Sequence, residues 1–145
     1  MSQALVHEGK AKYIFCCELV LCEVMHMSAS PLRAILTEFN RLEGVRGTIV
    51  ISKDGFPIEI LLTATNIDPE ALSAMVVTLF GSADKLSSEL RLGDTEIIVI
   101  EYSNNYVLVQ DLGGALFTVL ADRRAILGRI RFEMKRQRDR IRAAL

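Results

Sequence analysis

The chain has 145 residues, half of them hydrophobic, with a net charge of −1 and a mean hydropathy of +0.29, which suits one domain with its own core. No stretch approaches the roughly 18 uncharged apolar residues of a membrane span; the longest uncharged run, 71–83, has thirteen. The charge is uneven, because residues 122–145 hold nine basic and three acidic side chains, a local +6 that leaves −7 for the remainder, and such a dipole can steer acidic partners or lipid headgroups.

In chain order, the N-terminal apolar stretch is interrupted by Glu18 and Glu23 and is a poor secretory signal, so the expected compartment is the cytoplasm. Cys16, Cys17 and Cys22 are an odd number within seven positions, with no other cysteine to bridge to, which excludes a disulfide framework and agrees with a reducing compartment. With His26 they form a set of potential zinc ligands, but two are adjacent, and cysteines on an apolar segment serve as small hydrophobes. Neither a metal nor a cofactor is expected.

Ser30-Pro31 reads as a helix start, a capping hydroxyl followed by a residue with no N–H to leave unpaired. Leu32, Ile35, Leu36, Phe39 and Leu42 then share one face, predicting a helix over 31–42. Gly44-Val45-Arg46-Gly47 is expected to be a turn. Two β-branched or apolar runs, 48–52 and 56–62, flank Lys53-Asp54-Gly55 and predict a hairpin. Asp68-Pro69-Glu70 opens a second helix with a cap, an early proline and an acid at the positive end of the dipole, predicted to reach about Arg91. Strand chemistry returns at 97–102, 106–110 and 116–120, separated by turns at Asn104-Asn105 and Gly113-Gly114. Asp122 is expected to cap a last helix with an apolar stripe of Ile126, Ile130, Met134, Ile141 and Leu145 among arginines. The order helix, two strands, helix, three strands, helix predicts an α+β domain with helices on an antiparallel sheet.

The second helix carries Ala71, Leu72, Ala74, Met75, Val76, Val77, Leu79, Phe80 and Ala83 with no charge between Glu70 and Asp84. A helix apolar on all sides must be covered on all sides. The sheet covers one, and a second subunit, in a two-fold pair, is expected to cover the other.

Two stretches carry a family resemblance. Residues 32–55, LRAILTEFNRLEGVRGTIVISKDG, resemble the opening of the Roadblock family (the dynein light chain roadblock type), with its leucine-rich helix, G-V-x-G turn and strand ending in D-G. Residues 92–128, LGDTEIIVIEYSNNYVLVQDLGGALFTVLADRRAILG, resemble its second half, with a Y-V-L-V strand, a leucine-glycine turn and an alanine-aspartate helix start. The resemblance implies a five-stranded antiparallel sheet flanked by helices, Roadblock/longin/profilin-like and dimer-forming. It further implies that the second helix and third strand form the dimer seam, and that partners are Ras-like small GTPases or peptides of larger assemblies. Carried onto this chain, Leu72, Met75, Val76, Leu79, Ala83, Leu86, Ile98 and Ile100 become candidates for the seam or the partner surface. The domain is expected over 28–145, with 1–27 an extension that departs from the family pattern. Met25 and Met27 stand just ahead of the family-like start, which raises the hypothesis that translation begins there.

No phosphate-cradling loop of the form GxxxxGK[ST] occurs, and no His-centred or paired-carboxylate constellation is set up by spacing, so no catalytic residues are expected. The expected role is a non-enzymatic homodimeric regulator or scaffold for a Ras-like small GTPase, pairing with itself or with a paralogue of its fold. The alternative is a nucleotide-independent structural adaptor in a larger motor-like or membrane-associated complex. The electrostatic surface of the last helix (Arg129, Arg131, Arg136, Arg138) admits a solvated face, an acidic protein partner, or phosphate of a membrane surface. Nucleic acid ranks last, because Phe132 is the only aromatic there for base stacking.

Overall fold

The computed structural model describes residues 30–63 and 66–145, and its elements build the unit Leu32–Leu145. The expectations placed on 1–27, including Cys16, Cys17, Cys22, His26 and the alternative starts, lie outside the described residues. Helix α1, Pro31–Asn40, buries Leu32, Ile35, Leu36 and Phe39, the i, i+3, i+4, i+7 stripe of one helical face. It ends two residues before the expected point. Arg41 and Leu42 donate backward to Glu38 O and Phe39 O in a tighter turn, and Asn40 Nδ2 donates to Leu61 O at 3.2 Å.

Strand β1, Val45–Ser52, starts three residues earlier than expected, so Gly44-Val45-Arg46-Gly47 is not simply a turn. Gly44 has φ +81°, and a Cβ there would lie 2.4 Å from the Ala125 amide nitrogen. Gly47 already pairs with Leu62 across the ladder, and a Cβ there would strike Leu62 Cδ2 at 2.5 Å. Each glycine therefore has a steric cause: one turns the chain left-handed against the loop before the last helix, the other lets two strands meet over a large neighbour.

Strand β2, Pro57–Leu62, returns beside β1. Helix α2, Pro69–Leu90, then carries the chain to β3, Ile97–Glu101, which begins the meander completed by β4, Asn105–Asp111, and β5, Ala115–Asp122. The sheet order is β2-β1-β5-β4-β3 and every neighbouring pair is antiparallel. Because β2 and β3 are opposite edges, α2 has to cross the sheet to connect them. The expected α+β class and five-stranded antiparallel sheet with flanking helices are observed.

Helix α3, Leu127–Ala143, starts five residues after the expected cap. Asp122 ends β5 instead, and its carboxylate accepts from Arg124 N at 2.9 Å in a local turn that brings Ala125 against Gly44. Ile130, Met134 and Ile141 are buried as predicted, but Ile126 and Leu145 stand in solvent.

Alternation along the strands sorts the core into two faces. On one, α1 and α3 cover Val50, Leu108, Phe117, Val119 and Ala121, with Phe39 and Phe117 edge to face at 5.0 Å. On the other, Val76 and Phe80 of α2 pack on Ile49, Ile51, Val109 and Leu116.

Candidate protein-interaction surface

The ends of α2 are well defined. Asp68 accepts from Glu70 N at 3.0 Å, Pro69 occupies the first turn, and Glu70 meets the positive end of the dipole. At the far end Arg91 adopts the left-handed conformation, φ 54°, while its N–H reaches Ser88 O and the Leu92 N–H reaches Ser87 O. That is a Schellman closure with arginine where glycine is usual.

The helix is not buried on all sides. Its fully buried stripe is Ser73, Val76, Phe80 and Ser87, and both serines satisfy their hydroxyls on carbonyls, Ser73 on Pro69 O and Ser87 on Gly93 O. Val76, expected at the seam, is 4 % exposed and is a core residue of this chain. On one flank, Ala74 and Val77 face the β1–β2 turn at Asp54–Phe56. The opposite flank collects Leu72, Met75, Leu79, Ala83, Leu86 and Leu90, neighbours at spacings of three, four and seven. Met75 is 67 % exposed and Leu86 59 %, whereas Leu72, Leu79 and Ala83 are half-buried.

This flank adjoins the part of the sheet face that α2 leaves open. Helix α2 covers the end marked by Lys53, whose ammonium sits 5.5 Å from the Phe80 ring. The other end holds a cleft of about 550 Å³ lined by Ile67, Tyr102, Tyr106, Val107, Leu120 and the rim residue Arg46. Ile98 and Ile100 pair with Val109 and Val107 and so lie on this same face, both half-buried, at the free edge of the sheet. Leu92, ahead of that edge strand, is exposed as well, whereas Val99, also exposed, pairs with Leu108 and so points to the opposite face of the sheet. The result is one continuous apolar surface, with α2 as its wall and β3 as its rim.

Leu90, Leu92 and the cleft residues were not singled out from sequence. Leu90 follows Leu86 at i+4, and Val107 and Leu120 alternate in phase with Val109 and Leu116, so the signal was present in the periodicity.

The arginines around the cleft are already engaged. Arg123 donates to Glu101 Oε1 at 2.5 Å, Tyr106 Oη at 2.7 Å, Tyr102 O at 2.6 Å and Ser103 O at 3.0 Å, and lies 4.8 Å from the Tyr106 ring. It clamps the β3–β4 turn to the end of β5, and Glu101, then Tyr106, hold its pKa above the ordinary value. Arg46 and Arg124 share Asp122, at 2.7 and 3.0 Å, and the Arg124 hydrogen bonds, chiefly, keep that carboxyl below its usual range.

The four arginines nominated on the last helix are all exposed. Arg136 pairs with Glu133 at 2.8 Å and Arg138 donates to Asp111 O at 3.0 Å. The side chains of Arg129 and Arg131 make no ion pair or hydrogen bond among the described residues. No cluster of metal-binding side chains occurs among the described residues, and no helix among them is long and apolar enough to cross a membrane.

Residues 32–121 match the Roadblock/LC7 domain. The chain belongs to the Roadblock/LC7 family. Two uncharacterized proteins of Methanocaldococcus jannaschii are 39 % identical over 117 residues, 81 % of this chain and 98 % of the relative, and 37 % identical over 109 residues, 75 % and 95 %. Among solved structures, Myxococcus xanthus MglB superposes with a TM-score of 0.75 at 16 % identity, covering 80 % of this chain and 95 % of MglB. A Roadblock/LC7 domain from Streptomyces avermitilis gives 0.69 at 19 % identity, covering 75 % and 92 %. At such identities these structures share the fold. The family model and the relatives thus agree with the resemblance carried by the sequence motifs, and the topology agrees with the fold.

Proposed function

We propose that this Roadblock/LC7 protein is a non-enzymatic regulator or scaffold, working as a homodimer, whose α2–β3 surface receives a Ras-like small GTPase. The observation that supports this most is the apolar flank on which Met75, Leu86 and Leu90 are exposed and Leu79 is half-buried, beside a half-open sheet face, because contiguous exposed apolar surface of this kind marks a protein contact. The free edge strand β3 offers backbone groups for pairing with a second copy. The other edge is blunted by Pro57 and by Glu59, which pairs with Arg33 at 2.7 Å. A related solved structure, MglB, is described in a tetrameric arrangement, which agrees with self-association in this fold. The GTPase is proposed from the family resemblance.

Holding a GTPase's mobile segments in one conformation shifts their population by the difference in affinity for the two nucleotide states. Stimulated hydrolysis by an arginine in trans is not part of this reading: Arg123, Arg46 and Arg124 around the cleft are committed to internal partners, and no other arginine is nominated for that role. That same observation favours a second reading, a nucleotide-independent adaptor. A pull-down from host extract, run with a non-hydrolysable GTP analogue and with GDP, separates the two. Enrichment of a P-loop GTPase in one nucleotide state, abolished by Met75→Glu with Leu86→Glu, is the expected result. Recovery of the same non-GTPase proteins in both would establish the adaptor instead.

A further inference from the structure

Helix α3 turns Ile130, Met134 and Ile141 into the core and presents on its outer side a face centred on one aromatic. Phe132 is 63 % exposed, with Gly128, Arg129, Lys135 and Arg136 beside it at i−4, i−3, i+3 and i+4. Over the whole helix seven cations stand against two acids, Glu133 and Asp139. Several neighbouring carboxylates are already neutralised: Glu133 by Arg136, Glu96 by Lys135 and Glu38 by Arg140, at 2.8, 2.8 and 2.9 Å. Arg129 and Arg131 have no such partner among the described residues.

We propose that this face docks on an anionic phospholipid surface, with Phe132 entering at the level of the headgroups and Arg129 and Arg131 reaching the phosphates. A single aromatic ringed by long cationic side chains suits an interface, where the ring leaves water while the charges stay at the polar boundary. A protein groove would be met by a row of apolar anchors at i, i+3, i+4 and i+7, and this face has one. Single-stranded nucleic acid would need several rings for stacking. Asp139 is the exception on the face, two turns beyond Phe132, and it is outweighed by the surrounding cations.

The placement matters because α3 and α2 lie on opposite faces of the sheet, so a membrane and a protein partner can be engaged together. If two copies pair through β3 about an axis normal to the sheet, a point that rests on the proposed dimer, both α3 helices face the same way. Two weak contacts then reinforce one another through effective concentration.

The test is co-sedimentation of the full chain with vesicles of phosphatidylcholine containing about 30 mol % phosphatidylserine, and with phosphatidylcholine alone. Binding to the anionic vesicles only, lost between about 0.05 and 0.5 M salt, is expected. It should weaken at least about fivefold in Phe132→Ser and in Arg129→Gln with Arg131→Gln, each retaining its circular dichroism. Absence of binding to anionic vesicles at low salt would overturn the proposal, as would binding indifferent to Phe132. Tighter binding to an oligonucleotide at equal phosphate concentration, unaffected by Phe132→Ser, would overturn it in favour of nucleic acid. Light scattering on the same samples keeps the two proposals apart: a monomer that still binds vesicles through Phe132 upholds the membrane face and removes only the dimer.

Discussion

The two faces of the sheet are finished to different degrees. Among the described residues, sixteen buried hydrophobic residues form one cluster under α1 and α3, against six in the cluster under α2, so the described elements complete the first face and leave part of the second open. The difference follows from connectivity. Helices α1 and α3 can both settle along one face because each is attached near the sheet centre, before β1 and after β5. Helix α2 is a crossover between opposite edges, and a single helix about 10 Å wide cannot cover five strands. The first face serves stability, and the second keeps the apolar surface that the proposed function assigns to a partner.

The comparison predicts unequal responses to substitution. The largest effect is expected at Phe117, fully buried on the closed face, where Phe117→Ala costs about 3–5 kcal/mol; urea unfolding at fixed protein concentration measures it. A loss under about 1 kcal/mol would mean that the closed face is loosely packed. Next, Met75→Glu with Leu86→Glu, on the open face, should leave the fold of one chain within about 0.5 kcal/mol while weakening self-association by on the order of 2 kcal/mol, roughly thirtyfold. Sedimentation velocity over a dilution series reads this directly, and an unchanged dimer would remove α2 from the seam.

A smaller effect, of opposite sign, is expected where α2 ends. Arg91→Gly relieves the left-handed strain of about 1–2 kcal/mol but adds the backbone entropy of glycine, about 0.5–1 kcal/mol, for a net stabilisation near 0.5 kcal/mol in thermal melts. The smallest concerns Asp122, which ties β1 to the loop before α3. Its folded carboxyl is held low, chiefly by Arg124, so its contribution is present above the unfolded value and lost as pH falls through the folded one. Asp122→Asn should therefore lower the melting point at neutral pH and flatten its decline in acid, with little difference from the parent once that carboxyl is protonated.

Much of the architecture was legible because the signals are local. Pro31, the Asp68-Pro69-Glu70 start, the Asp54-Gly55 turn and the period-two strands act within a few residues, and the elements they announce are present with ends shifted by up to four residues. The shifts have tertiary causes. Gly44 and Gly47 look like a turn until Ala125 and Leu62 are placed beside them, and Asp122 looks like a helix cap until Arg46 and Arg124 claim its carboxylate.

For the interaction surface, residue types by themselves determined that α2 carries more apolar side chains than one contact can use, and that α3 is basic. Only the folded chain decided which side of α2 is spent on the core, removing Val76 from the seam and adding Leu90 and Leu92 to the exposed surface. It also decided which arginines are free to meet a partner and which, like Arg123, are fully used. Periodicity states that a helix has an apolar side; which side meets the sheet depends on strands far away in sequence, through contacts that no local pattern encodes.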